Sequence, residues 1–435
     1  MGDMDMWGLE GVSYESQTAT AIHSDVNPND ERLLDLVFIM DATGSMSSYL
    51  KSAANNIELI VENILHSGKL HSIESLKVGL IAYRDYPPQD NSYITKSFEF
   101  TSDVESVKAN LSALHASGGG DGPEAVTAAM KAALELDWRP HASKMCVLVA
   151  DAPAHGIGEY GDGFPNGGPD GEDPLHLARQ MAAQGISLFV VACEPACSGY
   201  LYATDFFRAL TVITSAVLVP LTTAALLSHV IVGSALEQMD MDRIIQEVGL
   251  VVGQRVHERG DASVDEVARE LQEKLMLRGE ATKQLSFESI HRETPETAHN
   301  VDTFVSANTL ADAKPLLKRI QGSRFTEKYL AERYKGAYRA GSSFPSLPAR
   351  PGSTTTTTSA LSTSPSSPPR KVISDFKSFS ASKNLSMVET PLGTEMEDDL
   401  TDDSRGIELK FSSISLDQAK RITIASAWRT APPRA

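Results

Sequence analysis

Cysteine is scarce. Three in 435 residues cannot build a disulfide framework, and the count points to a reducing compartment. Basic residues are also in deficit. Against 57 Asp and Glu stand 39 Lys and Arg, a formal net charge of −18. That balance argues against general nucleic-acid binding and against adhesion to an anionic membrane, since both need a basic surface. Unbroken apolar runs are missing too. The longest candidate, Ala209–Val232, is interrupted by Pro220 and diluted by threonine and serine, whereas a membrane span needs about 20 apolar residues. Its β-branched part, Thr211–Val219, is predicted as a strand, and the spacing of Leu226, Leu227, Val230 and Ile231 as a helix. The polar, acidic first thirty residues lack a basic segment followed by an apolar core, so no signal peptide is expected. These absences together suggest a cytoplasmic chain with no membrane span and no nucleic-acid partner.

What is present divides by composition. At roughly 100–200 residues per domain, the length allows two domains or one with a long tail. Residues 1–30 are expected to be a flexible N-terminus. From 31 to 241, short β-branched runs (Leu34–Met40, Leu76–Tyr83, Met145–Ala150, Ile186–Ala192) alternate with amphipathic helical patterns. Such alternation predicts an α/β domain with a doubly wound, mostly parallel sheet, whose ligands bind at the carboxyl ends of the strands. Residues 242–338 are predicted as a small helical region, with a capping box at Ser263–Glu266. From 339 to 435 the chain is low-complexity and expected to be mostly disordered. Ser364, Ser367 and Thr390, each before a proline, are candidate phosphorylation sites there, and Phe411–Thr430 regains enough apolar periodicity for a short docking element.

The chemistry is concentrated after the first strand, in Asp41-Ala-Thr43-Gly-Ser45-Met. A carboxylate at a strand end, with hydroxyls two and four residues on, can bring three hard oxygen donors to one point. Hard oxygen donors suit Mg2+, Mn2+ or Ca2+. A second aspartate, Asp151, ends a later strand, and the Gly-rich segment Ser117–Glu124 lies between the two.

These residues resemble the von Willebrand factor type A (vWA) family, whose metal-ion-dependent adhesion site carries the pattern D-x-[ST]-x-S. The resemblance covers about residues 30–240. Asp-Ala-Thr-Gly-Ser-Met, Tyr83-Arg84-Asp85, Gly-Gly-Gly-Asp-Gly-Pro-Glu and Ala-Asp-Ala-Pro-x-His155-Gly look like the A domains found beside atypical α-kinases in fungi and slime moulds. It implies a cation site built from Asp41, Thr43, Ser45 and Asp151, holding Mg2+ first of all, with Ca2+ or Mn2+ as alternatives. It also implies a protein partner presenting an acidic residue that completes the metal shell. The family's middle loop usually supplies a threonine. Here that loop offers Asp121, which either joins the metal, directly or through a neighbour, or caps the helix opening at Pro123.

Other residues have plainer readings. Asp85 is expected to pair with Arg84 or a neighbouring loop, His155 to be a loop histidine held by a backbone hydrogen bond, and Cys193 and Cys197 to be a strand-end residue and a loop thiol. Gly156–Gly171 reads as a flexible rim. With no nucleotide loop and no nucleophile–base pair, a non-enzymatic binding module is expected, using the cation to hold its partner. The alternative is a regulatory or degenerate member of a vWA–α-kinase signalling family.

Overall fold

A computed structural model describes residues 32–260, 263–339 and 407–431. The low-complexity segment, with Ser364, Ser367 and Thr390, lies outside the described residues, as do residues 1–31. The chain divides into two units, Met1–Tyr329 with Arg405–Ala435, and Leu330–Ser404. The sheet, the candidate site and the C-terminal helix all belong to the first. Of the second, the described part is the end of a helix, α10 below.

Every residue of β1 (Leu34–Asp41) is buried, because the strand is central and covered on both faces. Alternate side chains serve two cores, as the two-residue period of a strand requires. Leu34, Leu36, Phe38 and Met40 join the apolar stripe Ile57, Ile60, Val61 and Ile64 of α1 (Ser47–His66). Val37 and Ile39 face the other way. The one acid in this strand interior, Asp35, is fully buried and matched by Arg139, whose Nε and backbone N donate to its two oxygens at 2.7 and 2.8 Å.

From α1 the chain returns as β2 (Leu76–Tyr83), parallel to β1, and turns back as the antiparallel edge strand β3 (Thr95–Thr101). It then passes α2 (Val104–Ser112) and α3 (Val126–Leu134) and enters β4 (Ser143–Ala150) on the opposite side of β1. The sheet continues through α4 (Pro174–Ala183), β5 (Ile186–Cys193), α5 (Ala203–Ile213) and β6 (Leu218–Leu221), giving the order β3-β2-β1-β4-β5-β6. The doubly wound, mostly parallel α/β fold read from the sequence is therefore present. The winding reverses between β1 and β4, and a crevice opens at such a switch point above the carboxyl ends of the strands. Asp41 ends β1 and Asp151 directly follows β4.

Two local readings need correction. Thr211–Val219 is not one strand. Its first residues close α5, whose Phe206, Phe207, Leu210 and Ile213 are buried at helical spacing, so the periodicity of the whole segment overrides the β propensity of its threonines and valines. The change from sheet domain to helical region, expected at 241/242, falls inside one 33-residue helix, α6 (Leu227–Arg259). Its first half packs Leu227, Val230, Ile231 and Ala235 under the sheet. Its second half, with Ile244, Val248 and Val252, builds a further core with α7 (Val264–Leu277).

After α7 come β7 (Ala281–Phe287), α8 (Pro295–Ser306), the short α9 (Leu310–Ala313) and α10 (Glu327–Arg339). Then β8 (Ile407–Ser413) pairs antiparallel with β7, and α11 (Leu416–Thr430) lies against α6 and α7. Residues 407–430 are thus a strand and a helix built into the first unit, where the sequence suggested a mostly disordered tail with a short docking element. Glu237 of α6 accepts from Arg421 and Gln418 of α11, and Asp242 accepts from Arg429 at 2.6 Å. Close approach is permitted by glycine. A Cβ at Gly253 of α6 would stand 2.6 Å from the Ser426 carbonyl oxygen.

Candidate metal centre

The loop after β1 folds around its own aspartate. Asp41 Oδ1 accepts from the Thr43 backbone N at 2.8 Å and from Thr43 Oγ1 at 2.6 Å. A 3-10 turn at Gly44–Met46 follows and delivers the chain into α1. Ser45 Oγ lies 3.5 Å from Thr43 Oγ1 and reaches Asp151 on the neighbouring strand end. The structure therefore brings Asp41, Thr43, Ser45 and Asp151 together.

The middle loop is stitched to this one. Ser117 N donates to Ala42 O at 3.1 Å and Gly44 N to Gly118 O at 3.4 Å. Gly118 and Gly119 both take the left-handed conformation (φ +80° and +82°), and a Cβ on Gly119 would sit 2.9 Å from Glu124 Oε1. Arg84 braces the same loops through Ala42 O and His115 O, at 3.2 and 2.6 Å, and stacks on Tyr93. Its guanidinium is turned to Asp90, Ser92 and these carbonyls, so of the two partners expected for Asp85, Arg84 or a neighbouring loop, it is the loop, through His155, that pairs with it.

Glu124 is the residue that sequence reasoning missed. Its backbone N donates to Pro153 O at 2.8 Å, which pins it beside the Asp151 loop, and its side chain is buried. Burial, followed by the charges of Asp41, Asp85, Asp121 and Asp151, pushes its carboxyl up to about 10. The signal was present as an acid closing the Gly-rich segment, but the neighbouring Asp121 drew the same attention.

Asp41 and Glu124 each keep a buried oxygen, Oδ2 and Oε2, with no hydrogen-bond partner. The Tyr83 hydroxyl is buried near Asp41 without reaching hydrogen-bond geometry. Burial, then the Asp151 charge, raises Asp41 to about 7, and burial also raises Asp151. Among the described residues no Lys or Arg forms an ion pair with Asp41, Glu124 or Asp151. Acidic groups left without donors or counter-charge in a buried place are costly unless a cation joins them. The donor set, carboxylate and hydroxyl oxygens, fits a hard divalent ion. An open cavity of about 510 Å3 stands over these groups, lined by Thr43, Ser45, Glu124, Asp151 and Tyr200, with Asp121 on its wall.

Asp121 itself is held elsewhere. Helix α3 starts only at Val126 and its N-cap is Ala125, so Asp121 caps nothing. Its Oδ2 accepts from Gly163 N, and its carboxylate lies against that of Asp85. Asp85 is fully buried. Its Oδ1 accepts from Tyr86 N at 2.6 Å and faces His155 Nε2 at 2.7 Å. The other imidazole nitrogen of His155, Nδ1, is 2.7 Å from Asp162 Oδ1, so the histidine is held between two carboxylates and not by a backbone group. Burial pulls the imidazole down, but the hydrogen bonds to Asp162 and Asp85 outweigh it and raise His155 to about 9. Gly156–Gly171, read as a flexible rim, is tied into this cluster by Asp162, which accepts from Gly156 N and Phe164 N at 2.7 and 2.8 Å. Cys193 ends β5 and Cys197 sits in a turn after it, both buried.

The chain thus presents a doubly wound sheet with an acid-and-hydroxyl loop at its switch point. Residues 35–214 match the family model for the von Willebrand factor type A domain. Among curated proteins, it is 38% identical over 143 residues to the α-protein kinase vwkA of Dictyostelium discoideum, covering 32% of this chain and 22% of the kinase. It is 29% identical over 169 residues to a putative ariadne-like RING finger protein of Acanthamoeba polyphaga mimivirus, covering 38% of this chain and 16% of that one. The matches thus span less than a quarter of the length of these relatives. Similar solved structures include the pilus adhesin SpaC of Lactobacillus rhamnosus GG (13% identity, TM-score 0.37, 48% of this chain and 31% of that one). The SpRpn10 VWA domain is another (16% identity, TM-score 0.31, 46% of this chain and 94% of that one). Among the described residues, no helix is long and apolar enough to cross a membrane.

Proposed function

We propose that the vWA domain is a divalent-cation-dependent protein-binding module. Asp41, Thr43, Ser45 and Asp151 hold the ion, directly or through water, and Glu124 supplies the middle-loop carboxylate that the sequence reading gave to Asp121. The observation that carries this reading is the pair of orphaned, buried oxygens on Asp41 and Glu124, beside Asp151, with no Lys or Arg among the described residues paired to them. A bound Mg2+ would supply the missing positive charge and a coordination position open to a carboxylate of the partner. The chain's own residues do the rest. Thr43 orients Asp41 through two hydrogen bonds, Gly118 and Gly119 let the middle loop approach, and the cavity rim admits an acidic side chain.

Calorimetry with Mg2+ on the full chain, beside Asp41→Ala, tests the ion. One saturable site lost in the variant is expected, and equal binding by both proteins would remove Asp41 from the site. A captured partner should be released by EDTA. Capture that persists unchanged in EDTA would sink the carboxylate-bridge mechanism.

A second reading follows from the likeness to the vWA-bearing kinase, in which this chain acts as a regulator within an α-kinase signalling family and not as a free-standing adhesive module. A melting shift produced by ATP without added metal would favour it. A cytoplasmic setting fits either reading, as do the odd cysteine count and three buried, unpaired thiols.

A further inference from the structure

We propose that Asp85, Asp121 and His155 form a second cation site, separate from the Asp41–Asp151 centre, that takes a divalent transition-metal ion. The proposal does not rest on the adhesion reading above. One ligand atom from each residue lies within 4.8 Å of the other two. Ligand atoms opposite one another on an ion with bonds of about 2.0–2.2 Å are at most about 4.4 Å apart, so the trio closes on an ion with only small side-chain shifts.

Two independent observations point to a ligand. Asp85 is fully buried, yet its Oδ2 has no hydrogen-bond partner, and Asp121 keeps a buried Oδ1 in the same condition. The two carboxylates lie against each other, and burial together with the nearness of Asp85 raises the Asp121 carboxyl. Among the described residues no Lys or Arg pairs with Asp85, Asp121 or Asp162, so three carboxylates share the single imidazole of His155.

The second observation is the posture of His155. Its Nε2 is directed at Asp85 while Nδ1 meets Asp162, and Asp162 is itself fixed by the backbone N of Gly156 and Phe164. A metal-bound imidazole commonly carries such a carboxylate on its far nitrogen, which sets the tautomer and the ring direction. The rings of Phe164 and Tyr86, with centroids 4.9 and 5.7 Å from that of His155, hold it in place.

The donor set selects the ion. Mg2+ and Ca2+ take oxygen ligands, whereas one imidazole beside two carboxylates suits Mn2+, Fe2+, Co2+ or Zn2+. The two centres would thus differ in chemistry while sharing the wall between them, since Asp121 and Glu124 stand three residues apart on one loop.

Mn2+ is the probe. The full chain, stripped by chelator, is equilibrated with Mn2+ in excess Mg2+, using wild type, Asp41→Ala, Asp85→Asn, Asp121→Asn and Asp162→Asn. Asp41→Ala should still bind about one Mn2+ per chain. Asp85→Asn and Asp121→Asn should each weaken that binding at least tenfold, and Asp162→Asn, which acts through His155, by about tenfold. Spin-echo spectra of the bound Mn2+ should show coupling to one imidazole nitrogen, absent in His155→Gln. Melting curves in EDTA check that each variant is folded. Asn at 85 and 121 keeps the one oxygen that faces a backbone N–H, whereas Asn at 162 gives up one of two, so its melting curve is the control that matters most.

Folded Asp41→Ala protein that binds no Mn2+ overturns the proposal, as does bound Mn2+ without nitrogen coupling. Failure of the adhesion reading looks different, because wild type and Asp41→Ala would then bind the same number of Mg2+ ions by calorimetry, whatever the Mn2+ count.

Discussion

Asp41 sets a conflict between stability and binding. Its carboxylate is fully buried, faces Asp151, and is raised to about 7 chiefly by burial. Asn at this position keeps the Oδ1 acceptor for Thr43 but carries no charge. Asp41→Asn should therefore melt higher than wild type in EDTA, by about 2–4 °C for each kcal/mol relieved in a domain of this size. The same variant should lose most of the rise that Mg2+ produces. Thermal scans with and without Mg2+ read both effects, and a variant that melts lower in EDTA would show that the charge is accommodated without an ion. That Asp41, Thr43, Ser45 and Asp151 would meet was legible in the sequence because each sits beside a strand end, where local pattern fixes position. Glu124, Asp85 and His155 were not. Their partners lie across loops that meet only after folding, with 70 residues separating Asp85 from His155 and only 7 separating His155 from Asp162.

Among the elements, β1 and α6 show opposite sides of the same reading problem. The strand carries Asp35 inside an apolar run, and the sequence pattern tolerated it without naming its partner. Arg139, 104 residues away, is that partner. Removing one member of a buried pair leaves an uncompensated charge, so Arg139→Ala should cost about 3–5 kcal/mol, read from urea unfolding. Helix α6 was divided in the sequence reading because its composition changes near residue 241, yet hydrogen bonding along a helix does not respond to which core each turn faces. Its contact with α11 depends on Gly253. Gly253→Ala would gain about 1 kcal/mol of helix propensity, but its Cβ would stand 2.6 Å from a backbone oxygen. Overpacking of that kind costs about 1–3 kcal/mol. The net expectation is a lower urea midpoint with an unchanged slope, whereas a higher midpoint would mean that α11 can move aside freely.

For the whole molecule, ion binding and folding are linked. If the carboxylates at the switch point assemble only in the folded chain, Mg2+ at a hundredfold its dissociation constant should add about 2.7 kcal/mol to the stability of the sheet. EDTA should remove that increment from wild type and leave Asp41→Ala unmoved, and equal curves for both proteins would break the linkage. The sheet was foreseen because parallel strands alternate with helices in chain order, so its main signals are local. The C-terminal strand and helix were only half foreseen, because β8 pairs with β7 and α11 fills a groove made by α6 and α7, contacts that span more than a hundred residues.

That distant closure has a consequence for chain continuity. The strand and helix at 407–430 are held by a β ladder, by the Glu237–Arg421 and Asp242–Arg429 contacts and by an apolar seam through Ile422, not by the peptide link alone. A single cut between residues 340 and 406 should therefore yield two pieces that co-elute as one particle. The short piece, made separately, should restore a chain truncated before residue 407, as a lost key restores a lock.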